Sequence, residues 1–339
     1  MSNRISSHFA ALFAAASLLT IAPLASAQTE IKLPIKTGGE TLRGKLMQQY
    51  ADEVAKETHG RYKVTVYPGG QLYGGTAAAQ AVQLGNVEMA NPPNSAFTGY
   101  TKSVDLLEVP FAFPHPRNYQ AFTDGPSGRE LFKSLAKSGF EGLAIIDEGP
   151  FVIGTKDRLL KKPADFKGEL IRTSGHQVVV DSLHTMGAST VKIEFNEVYS
   201  ALQQGTIKGV YTTFDAYTKH KFYEQAPHVM LFPAHGAYIW VANKAWWDKQ
   251  PAHDRAILAK LARKIAAQYD HEVWEELKEY VATLKAHGGD YFDPGSSSHT
   301  MASFRKAIEP VYAKLREEFG AQTIDDLMKG KPIKLSQAK

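Results

Sequence analysis

The sequence predicts an α/β protein of two lobes, joined by a hinge and separated by a cleft, and three observations carry that reading. Strand-type and helix-type segments alternate up to about residue 150 and again from Phe151 to Gly205. A single helical pattern from Pro251 to His287 is longer than one small lobe is wide. The chain has 339 residues, more than one typical domain, yet no internal repeat or low-complexity linker divides it into separate beads.

The N-terminus reads as a signal peptide. Arg4 supplies the charge, an apolar run extends from Phe9 to Leu24, and Ala25-Ser26-Ala27 gives an A-x-A end with cleavage expected after Ala27. Polar Gln28-Thr29-Glu30 follows without a basic stop-transfer cluster, which argues against a retained anchor. Cleavage would remove Arg4 and no acid, so 39 basic against 35 acidic residues becomes 38 − 35, a formal charge of +3. Basic residues are scattered, as at Lys161-Lys162 and Lys329 to Lys334, so no nucleic-acid partner is expected. The absence of cysteine excludes a disulfide framework and a lipidated N-terminal Cys. A periplasmic protein with no inserted segment after signal removal is the result.

In chain order, Ile31 to Ile35 is a short strand, and Thr41 to Glu57 spaces Leu42, Leu46, Tyr50 and Val54 as a helix that Gly60 stops. Tyr62, Val64 and Val66 alternate as a strand, and the turn-rich Pro68 to Gly75 loop leads into an Ala-rich helix ending near Gly85. An apolar Leu106 to Phe113 segment, helices from Tyr119 to Lys137 and a strand Gly142 to Asp147 complete the first run. The second run holds strand Phe151 to Thr155, a Pro163 to Gly168 turn, strand Glu169 to Arg172 and a helix Gln177 to Met186. A further helix is opened by Asn196 as its cap and closed by Gly205. Pro251 then starts the longest pattern, with Ile257, Leu261, Ile265, Tyr269, Val273, Leu277, Val281 and Leu284 one turn apart until Gly288-Gly289. Roughly 37 residues at about 1.5 Å each span on the order of 55 Å, enough to brace both lobes. The expected division is residues 28–149 as the first lobe with part of 236–275, residues 150–235 as the second with part of 276–325, a bracing helix over 251–287, and a tail over 326–339.

With these elements in place, several motifs resemble the extracytoplasmic solute receptors of tripartite ATP-independent periplasmic (TRAP) transporters. They are Gly70-Gln71-Leu72, Leu107-Glu108-Val109-Pro110-Phe111, Asp165-Phe166-Lys167-Gly168 before Arg172, Phe195 to Gly205, and Asn243-Lys244 before Trp246-Trp247. The Glu-Val-Tyr-x-Ala-Leu-Gln-x-Gly stretch from Glu197 is specific, and the likeness covers nearly the whole mature chain. The resemblance implies a periplasmic binding protein fold whose cleft closes on a small organic carboxylate. It also implies no catalysis, and partner small and large membrane subunits driven by an ion gradient.

It further implies that Arg172 makes a bidentate salt bridge to the ligand's carboxylate, a role that suits the planar guanidinium fork. Many relatives carry a second arginine in a Gly-Phe-Arg stretch, and Phe151 falls there. Their Gln-Glu-Asn-Pro, whose asparagine binds the carboxylate, is replaced by Val210-Tyr211-Thr212-Thr213, with Thr212 on the asparagine position. Phe195 matches an aromatic that packs on the ligand, and His235 and Tyr238 fall on a cleft-facing strand. Tyr211, Gln71 and Asn91 complete the candidate set. Each aromatic or histidine equally suits a packed core position. Losing a charge at Phe151 points to a monocarboxylate with an apolar or aromatic portion, with a C4-dicarboxylate as the alternative.

Other chemistries lack their residues. There is no Cys nucleophile and no G-x-S-x-G elbow, and His271-Glu272 is followed by Glu275 where a zinc helix needs its second His. Gly69-Gly70 and Gly74-Gly75 match neither phosphate-loop nor dinucleotide fingerprints. No cofactor or metal is expected. A periplasmic enzyme or a sensor-kinase receptor on the same scaffold are the lesser readings.

Overall fold

The computed structural model describes residues 28–113 and 116–335, so the signal-peptide pattern of residues 1–27 lies outside the described residues. In the first lobe, β1 (Thr29–Pro34) and β2 (Tyr62–Tyr67) pair in parallel around α1 (Leu42–Glu57). The Thr41 hydroxyl caps α1 by accepting from the Gly44 amide at 3.1 Å. Next come α2 (Thr76–Gln83), β3 (Met89–Ala90), two 3-10 turns at Asn94–Phe97 and Lys102–Glu108, α3 (Pro116–Asp124) and α4 (Pro126–Ala136).

The second lobe begins within β4 (Phe140–Thr155) and continues through β5 (Leu170–Thr173), α5 (Gln177–Thr185), β6 (Ser189–Lys192), α6 (Val198–Gln203), β7 (Gly209–Thr213) and α7 (Phe214–Lys219). The chain returns along β8 (His228–Asn243) to α8 (Lys244–Asp248), then α9 (Ala252–Glu275), α10 (Leu277–Ala286) and β9 (Asp290–Phe292). It ends with α11 (Ser298–Ala307), α12 (Glu309–Phe319) and α13 (Ala321–Met328).

The main sheet runs in the order β3-β8-β4-β7-β5-β6, with β9 on β8. β4 and β8 are 16 residues each and pair antiparallel from Phe140↔Asn243 to Thr155↔His228. β3 joins β8 at Ala242, whereas β9 joins it at His228 to Met230, so the two long strands serve a different set of neighbours at each end. Their register shifts between Gly142 and Ala144 and twice between Asp147 and Val152. Bulges of this kind bend a strand and sharpen its twist, and here they mark the hinge.

Four elements differ from the sequence reading. The segments Gly142 to Asp147 and Phe151 to Thr155 are halves of one strand, because β8 pairs along both. The long helix is broken at Glu276, which closes α9 and opens α10 while keeping helical hydrogen bonds on either side. Asn196 lies inside a 3-10 turn, Phe195–Glu197, and α6 starts at Val198 without a side-chain cap, so the expected Asn196 cap is not formed. The expected tail includes the end of α13, and Ile333 is buried with its amide donating to Ser127 Oγ at 3.0 Å.

Gly149 sits at the hinge with φ +89°, and a Cβ there would stand 2.6 Å from Val273 Cγ2 on α9. Gly149→Ala should therefore pay both left-handed strain and overlap, about 1–3 kcal/mol together. The expected result is a melting temperature lower by at least about 3 °C in scanning calorimetry. An unchanged value would mean that the hinge backbone is not held against α9.

Candidate functional site

Arg172 stands near the end of β5, paired with Val191 of β6 and Val210 of β7. Cross-strand partners share a face, so Arg172, Val210, Thr212 and Val152 project to the same side of the sheet. The Arg172 residue is only 6% exposed. Among the described residues, its one side-chain hydrogen bond is from Nε to the Ile193 carbonyl at 2.9 Å, and no carboxylate lies within ion-pair distance. Burial lowers its pKa from the usual value, and Glu194 opposes the shift. The Phe195 ring centre is 5.7 Å from Cζ. A desolvated guanidinium without a counter-ion is a strong attractor for a carboxylate.

Phe151 and Tyr211 project to the opposite face, where their rings stack at 4.9 Å and Tyr211 meets Phe232 edge-on. His235 is buried at the hinge: its Nδ1 lies 3.0 Å from Asp147 Oδ2, and its ring stacks on Tyr119 at 4.3 Å. Asp147 Oδ2 also accepts from Trp274 Nε1 at 2.9 Å. Gln71 is exposed in its loop. Asn91 is 1% exposed, with Nδ2 on Met47 Sδ and its Oδ1 unpartnered. The structure thus gathers Arg172, Phe195 and Thr212, sets Phe151 and Tyr211 behind them, and packs His235 into the hinge.

Tyr238 belongs to a second cluster that sequence reasoning missed. A cavity of about 60 Å³ is lined by Arg43, Glu148, Tyr238 and Tyr269 from the first lobe and α9, and by Thr213 and Lys219 from the second. The Arg43 guanidinium lies 3.3 Å over the Tyr238 ring. Glu148 is half-buried, and burial together with Glu108 pushes its pKa up while Arg43 and His176 pull it down. Two signals were present in the sequence: a cation in the first turn of α1, where the helix dipole disfavours it, and an acid next to the strand end at Asp147.

A third missed contact ties the lobes together. Glu108, the one charge in the apolar Leu106 to Phe113 run, forms an ion pair with His176 Nδ1 four residues beyond Arg172. Burial pulls the His176 pKa down, but Glu108, with Glu148 and Asp105 behind it, outweighs burial and the net shift is upward. A histidine with a raised folded-state pKa stabilises fully below its unfolded value of about 6.5 and loses that contribution as pH climbs through the folded value. The stability gap between wild type and His176→Gln, measured by urea unfolding, should be widest below pH about 6.5 and close above it. A gap that widens with pH would refute the pair.

No group of three or more His, Asp or Glu among the described residues is arranged to hold a metal ion, and no described helix is long and apolar enough to cross a membrane.

Residues 36–318 match the family model for bacterial extracellular solute-binding protein, family 7. A solute-binding protein of Verminephrobacter eiseniae is 31% identical over 89% of this chain and 90% of its own. The C4-dicarboxylate-binding periplasmic protein of Rhodobacter capsulatus is 28% identical over 91% of this chain and 93% of its own. Among solved structures, the TRAP periplasmic solute-binding protein of a Polaromonas species bound to D-erythronate superposes with a TM-score of 0.78 at 26% identity, covering 89% of this chain and 98% of that one.

Proposed function

This chain belongs to the bacterial extracellular solute-binding proteins of family 7, TRAP-type periplasmic receptors for small organic acids, and we propose that it grips its ligand's carboxylate with Arg172 as the lobes close. The observation that carries the proposal is a largely buried Arg172 whose guanidinium has no protein carboxylate within ion-pair distance. A carboxylate accepting two parallel N–H bonds from the Arg172 fork removes the uncompensated charge. Thr212, on the same face of the sheet, adds a hydroxyl within the same crevice, and the Phe195 ring supplies a flat apolar wall for the ligand's body. The loaded receptor then delivers the acid to small and large membrane subunits.

The ligand class we favour is a monocarboxylate with an apolar or aromatic portion. One dedicated guanidinium on the sheet, with Phe151 where relatives place a second, supports it. The alternative is a C4-dicarboxylate, as in the name of the Rhodobacter capsulatus relative. Arg172→Ala should weaken binding of whichever acid is taken by about 2–5 kcal/mol, that is about 30-fold or more in calorimetry. A loss smaller than about tenfold would count against the clamp. In a thermal-shift panel, branched and aromatic monocarboxylates should raise the melting temperature more than succinate or malate, and the reverse order would favour the dicarboxylate.

A further inference from the structure

We infer that the pocket between α3 and α9, beside the register-shifted stretch of β4, binds a small primary amine. Tyr119 and Gln120 of α3, Asp147 of β4, and Asp270 and Trp274 of α9 form its inner part, in a cavity of about 370 Å³. It shares no lining residue with the cavity at Arg43 and Glu148. Successive residues of a strand project to opposite faces, and here Asp147 serves one cavity and Glu148 the other. Neither Arg172, Thr212 nor Phe195 reaches this pocket, so the inference does not rest on the carboxylate clamp.

Two carboxylates meet at the inner end. Asp147 is fully engaged: Oδ1 accepts from the Gly149 amide at 3.0 Å, and Oδ2 accepts from Trp274 Nε1 at 2.9 Å and lies 3.0 Å from His235 Nδ1. Asp270 is not. Its Oδ1 accepts from the Asp147 amide at 2.8 Å, while its Oδ2 has no hydrogen bond and no cation beside it among the described residues. Burial and the Asp147 charge push the Asp270 pKa up, and neither Arg117 nor His271, both exposed at the rim, offsets the shift. The second polar group left over is the Tyr119 hydroxyl. Tyr119 is 1% exposed, its ring is held by stacking on His235 at 4.3 Å, and its hydroxyl has no hydrogen-bond partner. Asp147 and Asp270 are the nearest charges acting on that hydroxyl, which places it at the same inner end. Buried polar groups without partners are costly, and a ligand that donates to both relieves two such costs. Ionised Asp270 offers only acceptors, and the two carboxylates have one imidazole between them, so the occupant has to donate and to carry positive charge. A primary ammonium does both, and the Trp274 ring gives its alkyl body an apolar surface. A quaternary ammonium lacks the donors, an alcohol lacks the charge, and the acids and histidines are not grouped to hold a metal ion. The cavity equals about twelve waters of liquid volume, room for an ammonium on a short alkyl chain.

Calorimetry with n-butylammonium, 1-butanol and tetramethylammonium as probes tests the assignment. Wild type should bind n-butylammonium with a Kd of about 1 mM or tighter, and the other two at least about tenfold more weakly. Asp270→Asn should cut n-butylammonium affinity at least about tenfold. The same variant should melt no lower than wild type, because Asn keeps an acceptor for the Asp147 amide and removes a like charge. If it fails to fold, Tyr119→Phe, which loses only an unpartnered hydroxyl, should still weaken n-butylammonium by about threefold or more. The inference is overturned by a wild-type Kd weaker than about 10 mM, by equal binding of the three probes, or by affinities unchanged in both variants. Failure here leaves the Arg172 clamp to its own test, since the two sets of residues do not overlap.

Discussion

The site depends on the cost of holding a guanidinium away from water without an anion beside it. Removing such a charge from solvent costs several kcal/mol after relaxation, and only an ion pair with good geometry repays it. Arg172 has a backbone carbonyl at Nε and a ring near Cζ, neither of which neutralises it. On the proposed reading, preference for a carboxylate follows from the planar geometry of the Arg172 fork.

That arrangement survives only if the scaffold prevents the guanidinium from swinging out to solvent. β5 is an interior strand, flanked by β6 and β7, so the Arg172 backbone is fixed on both sides. β4 and β8 are the long strands of the sheet, paired from Phe140↔Asn243 to Thr155↔His228, with two of their three register shifts between Asp147 and Val152. At that stretch Asp147 Oδ2 meets both His235 Nδ1 and Trp274 Nε1, which ties β4 and β8 to α9. Glu108 and His176 add an ion pair between the segment after β3 and the start of α5.

Much of this was legible in the sequence because it rests on periodicity. The apolar spacing of α1 and α9 and the alternation in β2 each follow from one buried face, and the family motif located Arg172. What escaped depends on partners distant in the chain. Asn196 has the side chain of a helix cap, yet the preceding turn tightens to 3-10 geometry and the α-helix starts two residues later, so local propensity lost to local packing. The continuity of β4 is invisible from Gly149-Pro150, which read as a break, because pairing with β8 carries the strand across them. Arg43 and Glu148 are 105 residues apart (148 − 43) and share a cavity only once the chain is folded.

The stacked rings of Phe151 and Tyr211 bear on how the ligand preference should be argued. By resemblance, these two positions hold an arginine and a glutamate in relatives, and here they are cross-strand neighbours packed face to face at 4.9 Å. The stacking gives Phe151 a packing role inside the sheet beside any role toward the ligand. The ligand preference is therefore better argued from the face that carries Arg172 and Thr212 than from Phe151, whose ring is committed to Tyr211 on the other side of the sheet.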